Sequence, residues 1–84
     1  MNGSAPEIEV DARGLACPMP LLKAKQALNR SQMGERVRVL ATDPGSQRDF
    51  NVFCDMSGTR LLESLEEDGV FTYLLEKPRE KTNA

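Results

Sequence analysis

The transition from a strand to a helix that organises this chain lies in residues 7–20, which read EIEVDARGLACPMP. The first five of these residues alternate polar and apolar side chains, which is typical of a half-buried strand. Residues 12–17 contain a glycine and predict a loop. Pro18 favours the first position of a helix, because its missing N–H has no intrahelical partner there.

The first helix is expected to end at a glycine. Leu21, Ala24 and Leu28 fall on one helical face and form an apolar stripe, and Gly34 predicts the end of the segment. Residues 36–41 alternate again and predict a second strand.

The second helix is expected to follow a turn at residues 43–45, which read Asp-Pro-Gly. Ser46 is interpreted as the N-cap, with Asp49 three residues later as a weaker form of the capping box. Gly58 predicts the end of this helix.

The remaining pattern predicts a hairpin. The apolar stretches at residues 59–65 and 70–76 flank the pair Asp68-Gly69, a strong two-residue turn signal, and their leucines are interpreted as sheet core. The element order β-α-β-α-β-β predicts an α+β two-layer sandwich. It has a four-stranded mixed sheet with two helices on one face.

Composition is consistent with one small domain. The chain has 84 residues, 39% of them hydrophobic, and a formal net charge of -2. Residues 7–77 are predicted to form the domain, with a flexible lead at 1–6 and a flexible polar tail at 78–84. No apolar run is long enough to span a membrane and the first residues lack the pattern of a secretory signal, so we expect a cytoplasmic protein.

The residue counts exclude much chemistry. With no histidine, the chain cannot form a Ser-His, Cys-His or histidine-metal site. Its two cysteines are too few for a four-cysteine zinc site and too distant for a Cys-x-x-Cys pair, so we expect no metal and no cofactor. The slightly acidic charge indicates neither a membrane-surface protein nor a strong direct nucleic-acid binder.

Cys17 is the candidate reactive group. It is interpreted as the N-cap of the first helix, because the following Pro18 disfavours helical dihedral angles at this residue. Pro18 and Pro20 remove two amides, which leaves the Met19 N–H as the main backbone donor for a thiolate. The helix N-terminus is expected to lower the pKa of the thiol.

Two neighbours of this cysteine are interpreted as supporting residues. Arg13 could add a cation, and Gly14 is assigned either to a tight turn or to the close approach of a partner. The thiol has no adjacent base and is therefore suited to attack sulfur rather than a carbonyl carbon. The alternative reading of Cys17 is a buried small apolar side chain.

The second cysteine, Cys54, is interpreted as core because it falls at helical spacing with Phe50 and Phe53. The alternative role is a resolving thiol for Cys17.

Two blocks of sequence resemble one family. Asp11-x-x-Gly14-x-x-Cys17-Pro18-x-Pro20 resembles the signature of the TusA/SirA family of small sulfur-carrier proteins, and residues 42–49, Thr-Asp-Pro-Gly-Ser-x-Arg-Asp, resemble its second block. The resemblance implies the same two-layer sandwich. It also implies a sulfurtransferase role, in which Cys17 accepts sulfur as a persulfide from a cysteine desulfurase or a rhodanese-like donor and passes it to an acceptor thiol.

The resemblance implies destinations such as tRNA thiolation and molybdenum-cofactor enzymes. Many relatives have a basic residue immediately before the cysteine, where this chain has Ala16. Asp43, Arg48 and Asp49 are candidates for partner binding, although turn formation and helix capping explain them about as well. The alternative function is a non-catalytic binding or regulatory module that contacts RNA or a sulfur-dependent enzyme.

Overall fold

The computed structural model describes residues 7–78 and confirms the predicted element order. Its elements are β1 (Glu7–Ala12), α1 (Met19–Arg30), β2 (Arg36–Ala41), α2 (Ser46–Ser57), β3 (Arg60–Glu67) and β4 (Val70–Glu76). The predicted lead and all but the first residue of the predicted tail lie outside the described residues.

The four strands form one mixed sheet in the order β1-β2-β4-β3. β1 and β2 are parallel, with Ala12 opposite Ala41 at their ends, and the other two pairs are antiparallel. Because parallel strands run in the same direction, the loops that follow β1 and β2 leave the sheet at the same edge. The loop that contains Cys17 is therefore brought beside the loop that precedes α2.

Both helices cover one face of the sheet, as predicted. The core between the layers includes two alanines and a leucine from α1, one aromatic residue from α2 and alternate residues of the strands: Ala24, Ala27, Leu28, Phe50, Val37, Val39, Ala41, Phe71, Tyr73 and Leu75. Small alanines on α1 allow that helix to approach the sheet closely. Within residues 7–78, neither helix combines the length and the apolar character needed to cross a bilayer.

The predicted hairpin is confirmed, but its Leu65 is not in the core. Asp68 and Gly69 form the two-residue turn with φ of 51° and 82°, the positive values that a type I′ turn requires. Leu65 is 58% exposed and pairs with Thr72, on the face opposite the helices. A register shift between Leu61 and Glu63 reverses the alternation, which is why the sheet-core interpretation was wrong for Leu65.

Helix α1 ends earlier than predicted, at Arg30 rather than near Gly34. The Lys77 ammonium donates hydrogen bonds to the carbonyls of Leu28 and Ser31, both at 2.8 Å. The Ser31 carbonyl lies just past the helix end, and the Leu28 carbonyl, which also accepts the Ser31 N–H at 3.1 Å, gains a second donor. The C-terminal end of α1 is therefore stabilised by a lysine that is distant in sequence.

The sheet face opposite the helices carries paired charges. Arg38 contacts Glu7 at 2.6 Å and Glu63 at 3.8 Å, and Glu76 lies within 3.7 Å of Arg36 and Arg60. These arginines are neutralised by carboxylates on neighbouring strands and do not form a free basic stripe.

Candidate functional site

The candidate site lies where the loops after β1 and β2 meet. The Gly14 N–H donates to the Thr42 hydroxyl at 2.9 Å and joins the two loops. A Cβ added at Gly45 would lie 3.6 Å from the Cβ of Cys17 and 3.0 Å from the carboxylate of Asp43. A Cβ at residue 45 would thus touch Cys17 at ordinary van der Waals distance and crowd the Asp43 carboxylate, so the two loops pack closely at this point.

Cys17 is exposed, as predicted, but it is not the helix N-cap. α1 begins at Met19, with Pro18 at the N-cap position and Pro20 buried in the first turn. The Met19 N–H donates to the carbonyl of Ala16 at 2.8 Å. The prediction that this amide serves a thiolate was therefore wrong, because a turn of the loop consumes it.

The thiol of Cys17 donates a hydrogen bond to the Asp49 carboxylate, which projects from the first turn of α2. This bond is the main reason why the pKa of Cys17 is raised above its ordinary value. Desolvation and the negative charges of Asp49 and Asp43 raise it further. The predicted lowering of this pKa was wrong, since the carboxylates disfavour a third negative charge beside them.

Arg13 and Gly14 have structural roles in the first loop. The Arg13 guanidinium donates to both carboxylate oxygens of Asp11, at 2.8 and 2.9 Å, and this pairing lowers the pKa of Asp11 to about 2. The arginine is thus directed to Asp11. Gly14 has φ of +83° and open space where a side chain would be, so the tight turn is what requires glycine.

The start of α2 differs from the predicted capping box. Gly45 is the N-cap, and Asp43 stabilises the turn by accepting the Gly45 N–H on its carboxylate and the Ser46 N–H on its carbonyl. The Ser46 hydroxyl is buried and bonds to the Tyr73 hydroxyl at 2.7 Å. Ser46 therefore connects α2 to the sheet. The Asp49 carboxylate does not cap the helix and instead contacts the thiol.

An open groove of about 630 Å³ runs between the helices beside this contact. It is lined by Leu21, Lys25, Arg48, Asp49, Val52, Phe53, Met56 and Ser57. Several apolar side chains on this surface are exposed, Met56 to 82%, and Arg48 lies among them. Asp49 thus belongs both to the groove and to the surroundings of the thiol.

Cys54 lies on α2, half-buried and packed against the core, as interpreted from its spacing. Burial is the main cause that raises the pKa of this thiol, and the charge of Asp55 adds to it. A protonated, half-buried thiol is a poor nucleophile.

Sequence reasoning missed Asp49, Gly45 and Tyr73 as parts of the site. The first two lie in the second family block, where Asp49 was interpreted as a helix cap or a partner-binding residue and Gly45 as part of a turn, and neither was placed beside Cys17. Parallel pairing of the first two strands would have brought that block to Cys17. The burial of Tyr73 beside Ser46 has no such local signal.

We predict that Gly45→Leu shields the thiol. The new side chain must displace the Asp43 carboxylate and cover Cys17, because even its Cβ would be in contact with both residues. In a Cys54→Ser background, the rate of iodoacetamide alkylation at a constant pH should fall about tenfold, which corresponds to about 1.4 kcal/mol of hindrance. Intact mass over time measures it.

The matched control is Gln47→Leu, which adds the same side chain to an exposed position on the first turn of α2. Its alkylation rate should equal that of the parent. Equal rates for Gly45→Leu and Gln47→Leu would contradict the close approach of the two loops.

Comparisons with known proteins agree with this architecture. Residues 8–77 match the family model described as sulfurtransferase TusA. The sulfur carrier protein TusA of Allochromatium vinosum is 49% identical over 69 residues, which cover 82% of this chain and 91% of that protein. The TusA of Pseudomonas putida is 36% identical over 77 residues, covering 92% and 96% of the two chains.

A solved structure gives the same fold. The SirA-like protein of Desulfitobacterium hafniense superimposes with a TM-score of 0.75 and 32% identity, covering 84% of this chain and 97% of that one. The family model extends from the second residue of β1 to the residue after β4 and includes both loops of the site. The chain therefore belongs to the TusA sulfurtransferase family.

Proposed function

We propose that this chain is a sulfur carrier that holds sulfane sulfur as a persulfide on Cys17. The observation that carries the proposal is an exposed thiol on a short loop, bonded to an aspartate that also lines a groove of mixed apolar and charged side chains. A carrier must present its sulfur to two different proteins in turn, and this position is open to both. The relatives named sulfur carrier proteins support the same role.

The transfer we propose is an exchange between a thiol and a persulfide. The Cys17 sulfur attacks the outer sulfur of the donor persulfide, and the bond between the two donor sulfurs breaks. The donor thiolate leaves with the electron pair and takes up the proton that Cys17 gave up, so no oxidant or reductant is consumed. The Cys17 persulfide then offers its outer sulfur to an acceptor thiolate by the same step.

The chain's own contribution to this exchange is presentation of the sulfur. Pro18 and Pro20 restrict the loop on one side of Cys17, and Gly14 provides the turn on the other. Met19 at the start of α1, and Val52 and Met56 in the groove, expose apolar side chains on the surface that we assign to the donor. With no histidine in the sequence, we assign no general base of that kind.

We propose a cysteine desulfurase or a rhodanese-like protein as the donor and a thiol protein as the acceptor. The groove beside the thiol is the surface we assign to the donor, with Arg48 in its lining and Asp43 on the loop near Cys17 as candidate contacts. Transfer RNA thiolation and molybdenum-cofactor enzymes are the destinations we propose. A reducing cytoplasm would keep Cys17 and Cys54 as the free thiols that the exchange requires.

The alternative of an RNA-contacting module gains no support from the sheet. The arginines of its open face are paired with glutamates, which leaves few charges for phosphate groups. We therefore propose the carrier alone.

The test is to measure the intact mass of the wild-type chain after incubation with a cysteine desulfurase and cysteine. We expect a gain of one sulfur atom that a reductant removes, and the same gain in Cys54→Ser. A second incubation should use a rhodanese-like protein with thiosulfate. No gain with either donor would overturn the proposal.

A further inference from the structure

The immediate surroundings of Cys17 are acidic. Asp49 accepts the hydrogen bond of the thiol, and Asp43, on the loop before α2, adds a second negative charge. Arg13, the charged residue nearest in sequence, is held by Asp11. Among residues 7–78, no lysine or arginine lies within ion-pair distance of Asp49. The carboxylate is thus free to meet a cation from another molecule.

Each element packed around the site contributes a group to this balance. α2 contributes Asp49 and the exposed Arg48, and the loop before it contributes Asp43. α1 contributes Lys25 at the far side of the groove. β4 contributes Tyr73, whose pKa is raised mainly by burial, so its hydroxyl stays neutral. The two carboxylates are therefore the charges that bear directly on the thiol.

This arrangement opposes the reaction that the carrier performs. The thiolate is the attacking species in sulfur exchange, whereas a thiol that donates to a carboxylate keeps its proton. In the free carrier, the thiol is consequently held in position and is less reactive than an unpaired thiol. A contact made in the complex with the donor must therefore weaken the hydrogen bond between the Cys17 thiol and the Asp49 carboxylate.

We propose that Asp49 is the positioning residue of Cys17, which holds the thiol in the free carrier and releases it when a cationic side chain of the sulfur donor pairs with the carboxylate. This inference rests on the proposed function and specifies the chemistry of the partner: a lysine or an arginine that reaches the end of the groove where Asp49 lies. It also gives the carrier a way to avoid alkylation and oxidation between transfers.

The released step remains balanced. When the donor cation pairs with Asp49, the Cys17 proton moves to solvent or to the departing donor thiolate. The new bond joins the Cys17 sulfur to the transferred sulfur, and the bond between the donor sulfurs breaks. Asp49 ends the step as a carboxylate and resumes its contact when the partner leaves.

The first measurement is the pH profile of iodoacetamide alkylation in a Cys54→Ser background, for the parent and for Asp49→Asn. The midpoint of the variant should shift to lower pH by about one unit, which raises the thiolate fraction about tenfold below the midpoint. Lower nucleophilicity of a more acidic thiol removes about threefold of this gain, so the rate at pH 7 should rise about threefold.

The matched control is Asp55→Asn, which removes the same charge from an exposed position on the same helix. Its alkylation profile should be unchanged, and thermal unfolding should show that both variants are folded. An unshifted or higher midpoint for Asp49→Asn would overturn the positioning role, because a purely structural role does not move a thiol midpoint downward.

The second measurement is the initial rate of sulfur loading by a cysteine desulfurase at low ionic strength. Loading of Asp49→Asn should be at least about threefold slower than loading of the parent, although its free thiol is more reactive, because the ionic contact with the donor is lost. The difference should shrink as salt is added. Loading of Asp49→Asn that is unchanged or faster would overturn the proposal that a cationic side chain of the donor pairs with Asp49.

These outcomes are separate from the proposed function. If the parent chain gains no sulfur from any donor, the carrier itself is wrong, whatever the alkylation profile shows. If the parent loads and Asp49→Asn loads equally well, the carrier stands and the inference fails.

Discussion

Cys17→Ser is expected to gain no sulfur from any donor, while the chain keeps its fold. A serine hydroxyl cannot form the sulfur–sulfur bond that holds the transferred atom, so loading should fall below detection rather than slow down. The side chain is exposed, and serine can still donate a hydrogen bond to Asp49. The change in the free energy of unfolding should stay within about 0.5 kcal/mol. Intact mass and thermal unfolding measure the two results.

Cys54→Ser is the matched control, because it removes the other thiol. It should load one sulfur atom at the rate of the parent chain, since Cys54 is half-buried and packed against the core. A reductant-sensitive sulfur on Cys54 in the Cys17→Ser variant would show that the carrier thiol is misassigned. It would also revive the role of Cys54 as a resolving thiol.

Most of the fold could be predicted because its signals are local. Alternation in residues 7–11 and 36–41 identifies two strands, and the pair Asp68-Gly69 identifies the hairpin turn. The features that were missed depend on distant partners. The bulge that exposes Leu65 arises from pairing with β4. The end of α1 is stabilised by hydrogen bonds from Lys77, which lies 46 residues beyond Ser31.

The site also contains one feature with a local sequence signal and others that depend on residues distant in the sequence. Cys17 could be proposed as the reactive residue from the prolines and the loop around it together with the family signature. The sign of its pKa shift could not, because local backbone effects alone predict a lowered pKa. The residue that reverses the sign is Asp49, which lies 32 positions away and whose spacing from Ser46 suggested a local cap. Ser46 bonds to Tyr73 instead, across 27 positions, and the Asp49 carboxylate contacts the thiol rather than the helix start.

Phe50→Ala should be the most damaging core substitution for stability. Phe50 is fully buried, and its ring stacks on that of Tyr73 with centroids 4.4 Å apart. Removing a buried phenylalanine side chain costs about 3–5 kcal/mol. A chain of this length has a total stability of about 4–13 kcal/mol. Thermal unfolding followed by circular dichroism should show a Tm at least about 12 °C lower.

The effect should reach the site for two reasons. Phe50 immediately follows Asp49 in the sequence, and its ring packs on Tyr73, which bonds to Ser46. In the folded fraction, we expect the midpoint of the pH profile of Cys17 alkylation to move to lower pH than in the parent chain. Val52→Ala, at an exposed position on the same helix, should change the free energy of unfolding by no more than about 0.5 kcal/mol. A loss below about 1 kcal/mol for Phe50→Ala would mean that the layers are held together without this aromatic pair. The position of Asp49 would then need another support.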